Sequence, residues 1–358
     1  MNTESKRIEK YTIVSNTLAC MSNQQLQQVL STGNEMHSGI GGTSVRIDIE
    51  NIPVFVKRVP ITEFELKPDN FMSTANIFKL PICYQYGIGS AGFSAWRELA
   101  AHIMTTNWVI SGQCANFPMM YSWRIIPNSL SKTDLSYWES TEKYLDYWEN
   151  NQNIKARIHG LNNANTSVLL FLEHFPRNLH QHLKEFLSPS VVELDSINHL
   201  EKLNKSFGTV LEFMQEKGFL HMDAHFHNIL ADENDIYLSD FGLALSKKFD
   251  LSITEHNFVK DHEHYDRCSY SVNLLHGVLT AYAGKDHWDK TLSDYLTNKF
   301  SIKLPDKINE ILSKNAPIAE KMHIFYKEIQ KDKSTPFPSN HMNGMLESVW
   351  QGKFYDSN

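Results

Sequence analysis

Two short polar motifs, separated by a predicted strand, constrain this chain more than any other feature. The first motif runs from His221 to Asn228 with the sequence H-M-D-A-H-F-H-N, and the second is Asp240-Phe241-Gly242. Between them, Ile236-Tyr237-Leu238 has the apolar character of a short buried strand. A strand, a turn and a second strand would bring carboxylate and amide oxygens into one region, and these are the ligands that magnesium prefers.

The residue types of the two motifs suit one kind of chemistry. The carboxylate of Asp223 can accept a proton from a hydroxyl group, while the amide oxygen of Asn228 and the carboxylate of Asp240 can bind a hard divalent cation. Either motif alone would carry little weight, because Asp, Asn and Gly are ordinary turn residues. Their order and separation, after an amphipathic helix, favour a functional interpretation.

This arrangement resembles the catalytic loop and metal-binding turn of the protein-kinase-like superfamily, which includes eukaryotic-type kinases and the aminoglycoside and choline phosphotransferases. The resemblance implies an α+β, bilobal protein-kinase-like fold with an antiparallel β-sheet in the N-terminal lobe and a mainly helical C-terminal lobe. It also implies phosphoryl transfer from ATP with magnesium. Asp223 would then orient the acceptor hydroxyl, and Asn228 and Asp240 would hold the metal.

A phosphate-binding loop and a lysine are the next features that the resemblance implies. Gly39, Gly41 and Gly42 precede a β-rich run that ends at Lys57. The glycines would let the backbone approach the phosphates of ATP, and Lys57 would hold the α- and β-phosphates as a catalytic point charge. The match is imperfect, because Ser44 stands where the family usually has a third glycine.

The lysine of such a site needs an acidic partner on a helix, and Glu98 is the best candidate for this part of the nucleotide site. Ser94 can cap a helix on which Trp96, Leu99, Ala100 and Ile103 form an apolar stripe beside Glu98. Two alternatives remain: Glu98 is a surface residue, solvated or paired with Arg97, or Lys57 pairs with Glu63 or Glu65 instead.

The run from Ser167 to Phe175 is nearly unbroken in its apolar character and has the length of a buried strand. By resemblance it is the hinge, where the backbone of Glu173 and Phe175 would bond the adenine edge of ATP. The alternative is a plain core strand. The hinge divides the chain into an N-terminal lobe, residues 1–175, and a C-terminal lobe, residues 176–358, which ends in a polar tail.

Two insertions interrupt the N-terminal lobe, at 58–92 and 128–160. The first separates Lys57 from Glu98 by more residues than the family usually has. The second is aromatic and predicted to be helical, and core packing is favoured over ligand binding for its large side chains, which are Leu135, Trp138, Tyr144, Leu145 and Trp148.

In the C-terminal lobe, apolar residues recur at helical spacing from Leu200 to Met214, until Gly218 ends the helix. Asp266 begins a second apolar stretch and would anchor the backbone of the catalytic loop by resemblance, or else cap its own helix. His262 and His264 alternate as they would on a strand, so a zinc site with His256 is conceivable. A position in solvent or on the substrate side of the site is favoured for these histidines.

Composition limits the partners that this chain can have. It has 358 residues, 41% of them hydrophobic, and a formal net charge of −7 without a long basic run, which speaks against nucleic acid and anionic membranes as partners. No stretch is apolar enough to span a membrane, and the four cysteines form no close pair. A cytoplasmic protein is therefore expected.

The acceptor of the phosphoryl group is the least constrained property. D-F-G-L-A-L and the V-F-V-K strand are closer to protein kinases, whereas His225 in H-x-D-x-H-x-x-N is closer to small-molecule kinases. We therefore expect a protein kinase acting on Ser, Thr or Tyr, with a small-molecule kinase as the alternative. A nucleotide-binding interaction module is a third possibility, which the presence of all four key polar residues disfavours. Met222 replaces the arginine that often receives an activating phosphate, which predicts activity without such a switch.

Overall fold

The computed structural model describes residues 3–39, 42–127, 138–187, 193–233, 235–284 and 288–350. These residues form an α+β structure, as the sequence predicts. The chain divides into two compact units, each of which is described by itself. The first unit comprises Met1–His174 and Asp240–His256, and the second comprises Phe175–Ser239 and Asn257–Asn358.

The unit boundaries differ in one respect from those expected from the sequence. The main segment of the first unit ends at His174, next to the expected boundary at 175, but the segment Asp240–His256 also belongs to the first unit. The aromatic ring of Phe241 explains part of this, since it is fully buried and packs against His102 and Phe117 of the first unit. The sequence prediction divides the chain at one point, so it cannot assign the later segment Asp240–His256 to the first unit.

In the described residues of the first unit, five strands form an antiparallel sheet, and five helices precede the last of these strands along the chain. The strands are β1 (Asn34–Gly39), β2 (Gly42–Ile49), β3 (Ile52–Ile61), β4 (Met120–Pro127) and β5 (Thr166–Glu173), in the spatial order β1-β2-β3-β5-β4. The helices are α1 (Thr3–Cys20), α2 (Asn23–Ser31), α3 (Ala95–Ile110), α4 (Thr141–Tyr147) and α5 (Gln152–Asn162), with 3-10 turns at Pro68–Asn70 and Ile82–Gln85.

Helices cover both faces of this sheet, and strand alternation decides which residues face which helix. Leu169 and Phe171 of β5 join a core with α1 and α2, whereas Val168, Leu170 and Leu172 join a second core with α3. Because successive strand residues point to opposite faces, a strand buried on both faces must be apolar throughout. The predicted buried strand is confirmed, since every residue of β5 is buried.

The helix start predicted at Ser94 is confirmed, and α2 also begins at a side-chain cap. Ser22 and Gln25 form a reciprocal capping box at the start of α2. The Ser94 hydroxyl accepts a hydrogen bond from the Arg97 backbone N–H at the start of α3. The cap of α3 determines where the first turn begins, and Glu98 lies in that turn.

The second insertion contributes to the core of the first unit. Tyr144 and Trp148 are buried around Tyr84, whose hydroxyl lies 2.5 Å from that of Tyr144. Trp138 packs edge-on against Tyr144. Packing is thus the observed role of these aromatic residues, as the sequence favours, while Leu135 lies outside the described residues.

The second unit is mainly helical and includes a small antiparallel sheet of order β6-β8-β9. Its strands are β6 (Arg177–Asn178), β7 (Phe219–Leu220), β8 (Ile229–Ala231) and β9 (Ile236–Leu238), and its helices include α6 (Leu179–Phe186) and α7 (Glu193–Lys217). The strand β10 (Leu245–Ser246) lies in the first unit, and α8 (Ile253–Asp261) crosses the unit boundary. The remaining helices are α9 (Tyr265–Ala283), α10 (Trp288–Leu296), α11 (Asp306–Lys331) and α12 (Ser339–Trp350).

The helix predicted to precede the H-M-D-A-H-F-H-N motif is confirmed as α7. Its apolar positions are buried from Leu200 to Met214, and Gly218 follows it with φ of 61°, a left-handed conformation that glycine adopts without strain. The strand interpretation of His262 and His264 is wrong, because both lie in the turn between α8 and α9. The position in solvent is also wrong for His262, which is buried. No described helix is long and apolar enough to cross a membrane.

Candidate active site

Lys57 of the first unit contacts two carboxylates. Its Nζ atom lies 2.6 Å from Oε1 of Glu98 and 2.8 Å from Oδ1 of Asp240. The alternation of β3 explains the first contact, because Val54 and Val56 face the core beside α1, which leaves Lys57 on the face that α3 covers. Three residues far apart in the sequence therefore meet at one ammonium group.

The three groups differ in exposure, and this sets their electrostatics. The side chains of Lys57 and Glu98 are 11% and 4% exposed, whereas that of Asp240 is 43% exposed. Burial by itself lowers the pKa of Lys57, but the charges of Asp240 and Glu98 outweigh it and raise the pKa above the usual value. Burial raises the pKa of Glu98, and Lys57 opposes that shift. Lys57 is consequently a permanent cation whose partner Asp240 still reaches solvent.

A buried ion pair of this kind is a weak source of stability, because removing two charges from water costs about as much as their attraction returns. The backbone of Asp240 adds to the cost, since its φ of 64° lies in the left-handed region. Such a costly arrangement is more typical of a functional site than of a structural support.

The glycine-rich segment forms the hairpin that precedes β3. Gly39 of β1 pairs with Gly42 of β2. Gly42 has a φ of 118°, and a Cβ atom there would lie 2.0 Å from the Arg58 carbonyl oxygen, so that only glycine fits. Ser44 pairs with Lys57 across β2 and β3. Gly41 lies outside the described residues.

The rival partners of Lys57 are engaged elsewhere or exposed. Glu65 is fully buried and binds Arg157 at 2.7 Å, and its other oxygen accepts the Ala95 N–H at the start of α3. Glu63 is exposed. The sequence favours Glu98 over both, and the structure places Glu98 at Lys57.

The predicted hinge residues have contacts that were not expected. The Glu173 backbone N–H donates to the Met119 carbonyl oxygen at 2.8 Å, so this N–H is already bonded within the sheet. The Glu173 carboxylate accepts two hydrogen bonds from Arg7, at 2.7 and 2.9 Å. Phe175 begins the second unit, where its ring packs at a tilt against that of Tyr237, with 4.1 Å between the ring centres.

Sequence reasoning missed Arg7, which ties α1 to the end of β5. Besides Glu173, its guanidinium donates to the carbonyl oxygens of Ala115 and Phe117. The polar residues at the start of the chain give no sign of this contact. The signal that could have revealed the helix is the apolar spacing of Tyr11, Val14 and Leu18, which pack on the sheet.

The loop between β7 and β8 of the second unit brings Asp223 and Asn228 together. The Asn228 side-chain NH₂ donates to the Asp223 backbone oxygen at 3.1 Å and to Oδ2 at 3.2 Å. Both bonds use the amide nitrogen, so the amide oxygen is the Asn228 atom that a cation would bind. The Asp223 carboxylate is 27% exposed.

His221 joins this loop to the residue that precedes the second motif. Its Nε2 atom lies 2.8 Å from the Ser239 carbonyl oxygen, which can only accept, so Nε2 carries the proton. Its Nδ1 atom accepts the Asp223 backbone N–H at 3.4 Å. The two contacts select the neutral imidazole with the Nε2 proton. Ser239 also donates its N–H and its hydroxyl to the Asn228 carbonyl oxygen.

Asp266, on α9, anchors this loop through hydrogen bonds to its backbone. Its two carboxylate oxygens accept the backbone N–H groups of His221 at 2.7 Å and Met222 at 2.9 Å. The predicted loop anchor is thus confirmed, and His264 is the cap position of α9. Met222 is buried with φ of 66°, so the anchor holds a strained backbone. Burial raises the pKa of Asp266 to about 6, although the two N–H donors oppose that shift.

The two candidate magnesium ligands are both oxygen donors. Asp240 offers a half-exposed carboxylate and Asn228 an amide oxygen, and both are hard oxygen donors of the type that suits magnesium. Within the residues that the structure describes, no three His, Cys, Asp or Glu side chains form a ligand group. Zinc and calcium are usually bound by three or more protein side chains, whereas magnesium keeps several waters and needs only one or two protein oxygen ligands.

No known family model matches this sequence, and no curated protein is significantly similar to it.

Proposed function

We propose that this chain is an ATP- and magnesium-dependent phosphotransferase with a bilobal protein-kinase-like fold, and that it transfers the γ-phosphoryl group of ATP to a Ser, Thr or Tyr hydroxyl of a protein. The observation that carries the proposal is the buried Lys57–Glu98 pair with Asp240 on the same ammonium group. The glycine hairpin between β1 and β2 precedes β3, the strand that carries Lys57, and β2 pairs with β3. A phosphate-binding site requires such a glycine-containing turn near its lysine.

The residues of the first unit have the charges needed to hold ATP. Lys57 offers a permanent positive charge to the α- and β-phosphates, and Glu98 keeps its side chain in one rotamer. Asp240 and Asn228 are the proposed magnesium ligands, and magnesium, when bound, supplies positive charge against the phosphate oxygens. Of the groups proposed for adenine, the carbonyl oxygen of Glu173 fits better than its N–H, which already binds Met119.

We assign the orientation of the acceptor to Asp223, which is held by hydrogen bonds within the loop between β7 and β8. Its carboxylate accepts the acceptor's O–H proton as the oxygen forms a bond to the γ-phosphorus atom. The bond between that phosphorus and the β,γ-bridging oxygen breaks, and ADP leaves with the electron pair. Asn228 and the loop hydrogen bonds hold Asp223 in place for this step.

A small-molecule kinase is a second candidate because of His225. Its Nε2 atom lies 3.9 Å from Oδ2 of Asp223, and its side chain is 43% exposed. A histidine at this position would contribute hydrogen bonding to a polar, compact acceptor rather than a fixed positive charge.

The test is transfer of label from γ-labelled ATP, with magnesium, to a mixed protein acceptor, followed by separation of proteins and small molecules. We expect labelled protein with wild-type enzyme and at least a 100-fold lower rate with Asp223→Asn, while ATP affinity stays within about three-fold. Asp195→Asn, an exposed change on α7, is the matched control.

Two other outcomes of this experiment would favour the alternative functions. Label on a small molecule with unlabelled protein would replace the protein acceptor by the second candidate. ATP binding without turnover by wild-type enzyme would contradict the proposal and favour a nucleotide-binding interaction module.

A further inference from the structure

Arg97 immediately precedes Glu98 on α3 and makes a buried ion pair of its own. Its Nη2 atom lies 2.6 Å from Oε1 of Glu255, and both side chains are 2% exposed. Glu255 lies in the segment 243–256, which follows the Asp240-Phe241-Gly242 motif. Successive residues of one helix therefore hold two parts of the same unit: Arg97 holds this segment and Glu98 holds Lys57.

The first insertion contacts the same segment at two further points. The Thr74 carbonyl oxygen accepts the Arg97 Nε–H at 2.7 Å, and the Thr74 hydroxyl accepts the Asp250 backbone N–H at 2.9 Å. The Gln85 side-chain amide donates to the Leu243 carbonyl oxygen. Thr74 and Gln85 both belong to the insertion at 58–92, for which the sequence suggested no role.

Aromatic rings and local hydrogen bonds complete the contact. The Arg97 guanidinium lies 4.9 Å from the ring centre of Phe93 and 6.0 Å from that of Phe249. The second Glu255 oxygen accepts the backbone N–H and the hydroxyl of Ser252. Both ends of the ion pair are thus fixed by neighbours within the first unit, so the segment has little freedom to leave α3.

We propose that Arg97, Glu255 and the insertion residues Thr74 and Gln85 form a permanent brace that holds the segment 243–256, and with it Asp240, in the active arrangement without phosphorylation of the chain. The carboxylate of Glu255 supplies, as a fixed part of the sequence, the negative charge that a phosphate group would supply in a switched enzyme. These are positioning residues, because they act through Asp240 and α3.

This inference rests on the proposed function for its catalytic part, but its structural part can be measured without catalysis. Backbone hydrogen exchange of residues 243–256 reports on the brace itself. In Thr74→Val the Asp250 amide loses its acceptor, and we expect at least a ten-fold faster exchange at that amide and a two- to five-fold lower kcat. Asp69→Asn, an exposed change in the same insertion, is the control and leaves both values unchanged.

Glu255→Gln removes the charge and keeps the shape of the side chain. We expect at least ten-fold faster exchange across 243–256 and at least ten-fold lower kcat, with KM for ATP within three-fold of wild type. Treating the wild-type enzyme with a broad-specificity phosphatase is expected to leave kcat unchanged within two-fold.

Unchanged exchange in both variants, or a phosphatase-treated wild type that loses most of its activity, would overturn the brace. If Glu255→Gln does not fold, Thr74→Val decides the question. A wild-type protein that transfers no phosphate would refute the proposed function, whereas the exchange rates would still decide whether the brace exists.

Discussion

The two units hold their candidate catalytic residues by different means. In the first unit, buried ion pairs do this: Lys57 with Glu98 and Asp240, Arg97 with Glu255, and Arg7 with Glu173. In the second unit, Asp223 and Asn228 are held by the side-chain amide of Asn228, by a neutral histidine and by backbone N–H groups that donate to Asp266.

This difference follows from what each group must do. A binding site for phosphates needs a strong and permanent positive charge, and such a charge can be buried only with carboxylates beside it. A residue that accepts a proton needs a defined position, which hydrogen bonds to the loop backbone and to a neutral ring provide without a cation paired to its carboxylate. The first unit should thus depend on charge, and the second on backbone geometry.

The largest expected effect is that of Asp240→Asn, which tests the role of charge in the first unit. The asparagine keeps the size of the side chain but loses its negative charge, so phosphoryl transfer should fall at least about 1000-fold, roughly 4 kcal/mol in activation free energy. Glu98 still pairs with Lys57, so the free energy of unfolding should change by no more than about 1 kcal/mol. Rates and urea unfolding measure the two quantities.

Asp69→Asn is the matched control, because Asp69 is an exposed aspartate of the same unit. Transfer at the wild-type rate by Asp240→Asn would show that charge at this position is not required, and the contrast between the units would fail.

Sequence reasoning reached the parts of this arrangement that local patterns encode. The cap at Ser94, the buried strand β5, and the assignment of Glu98 and Asp266 all follow from spacing or from the family resemblance. The partners of Arg7 and Arg97 do not, because a buried ion pair between distant residues depends on packing that no local pattern records. The same reason explains why Asp240–His256 was not expected in the first unit.

The next largest effect should come from Asp266→Asn, which tests backbone anchoring in the second unit. An asparagine side chain has one acceptor oxygen and one NH₂ group, so it can accept only one of the N–H groups of His221 and Met222 without placing two donors together. We expect the free energy of unfolding to fall by about 3 kcal/mol. The His221 and Met222 amides should also exchange faster.

Asp195→Asn, which is exposed in the same unit, should change neither unfolding nor exchange. If the two loop amides of Asp266→Asn stayed as protected as in wild type, the loop would not depend on Asp266, and the second half of the comparison would be wrong.

The smallest effect concerns a neutral histidine of the second unit. Burial lowers the pKa of His262 to about 4, and its ring stacks 3.7 Å from Phe258 while Nδ1–H donates to the Phe258 carbonyl oxygen. Because this pKa lies below the unfolded value of about 6.5, the stabilisation is present above pH 6.5 and is lost as the pH falls toward 4. Between pH 7.5 and pH 5 the loss should be about 2 kcal/mol. In His262→Asn the side-chain amide can still donate to Phe258, but the histidine no longer titrates. The free energy of unfolding should therefore fall by about 2 kcal/mol less over this pH range than in wild type. Asn257→Ala, an exposed change on α8, should keep the wild-type slope. Equal slopes in all three proteins would mean that folding leaves the pKa of His262 unchanged. The folded second unit would then accept a charged imidazolium at this position, where the comparison requires a neutral ring.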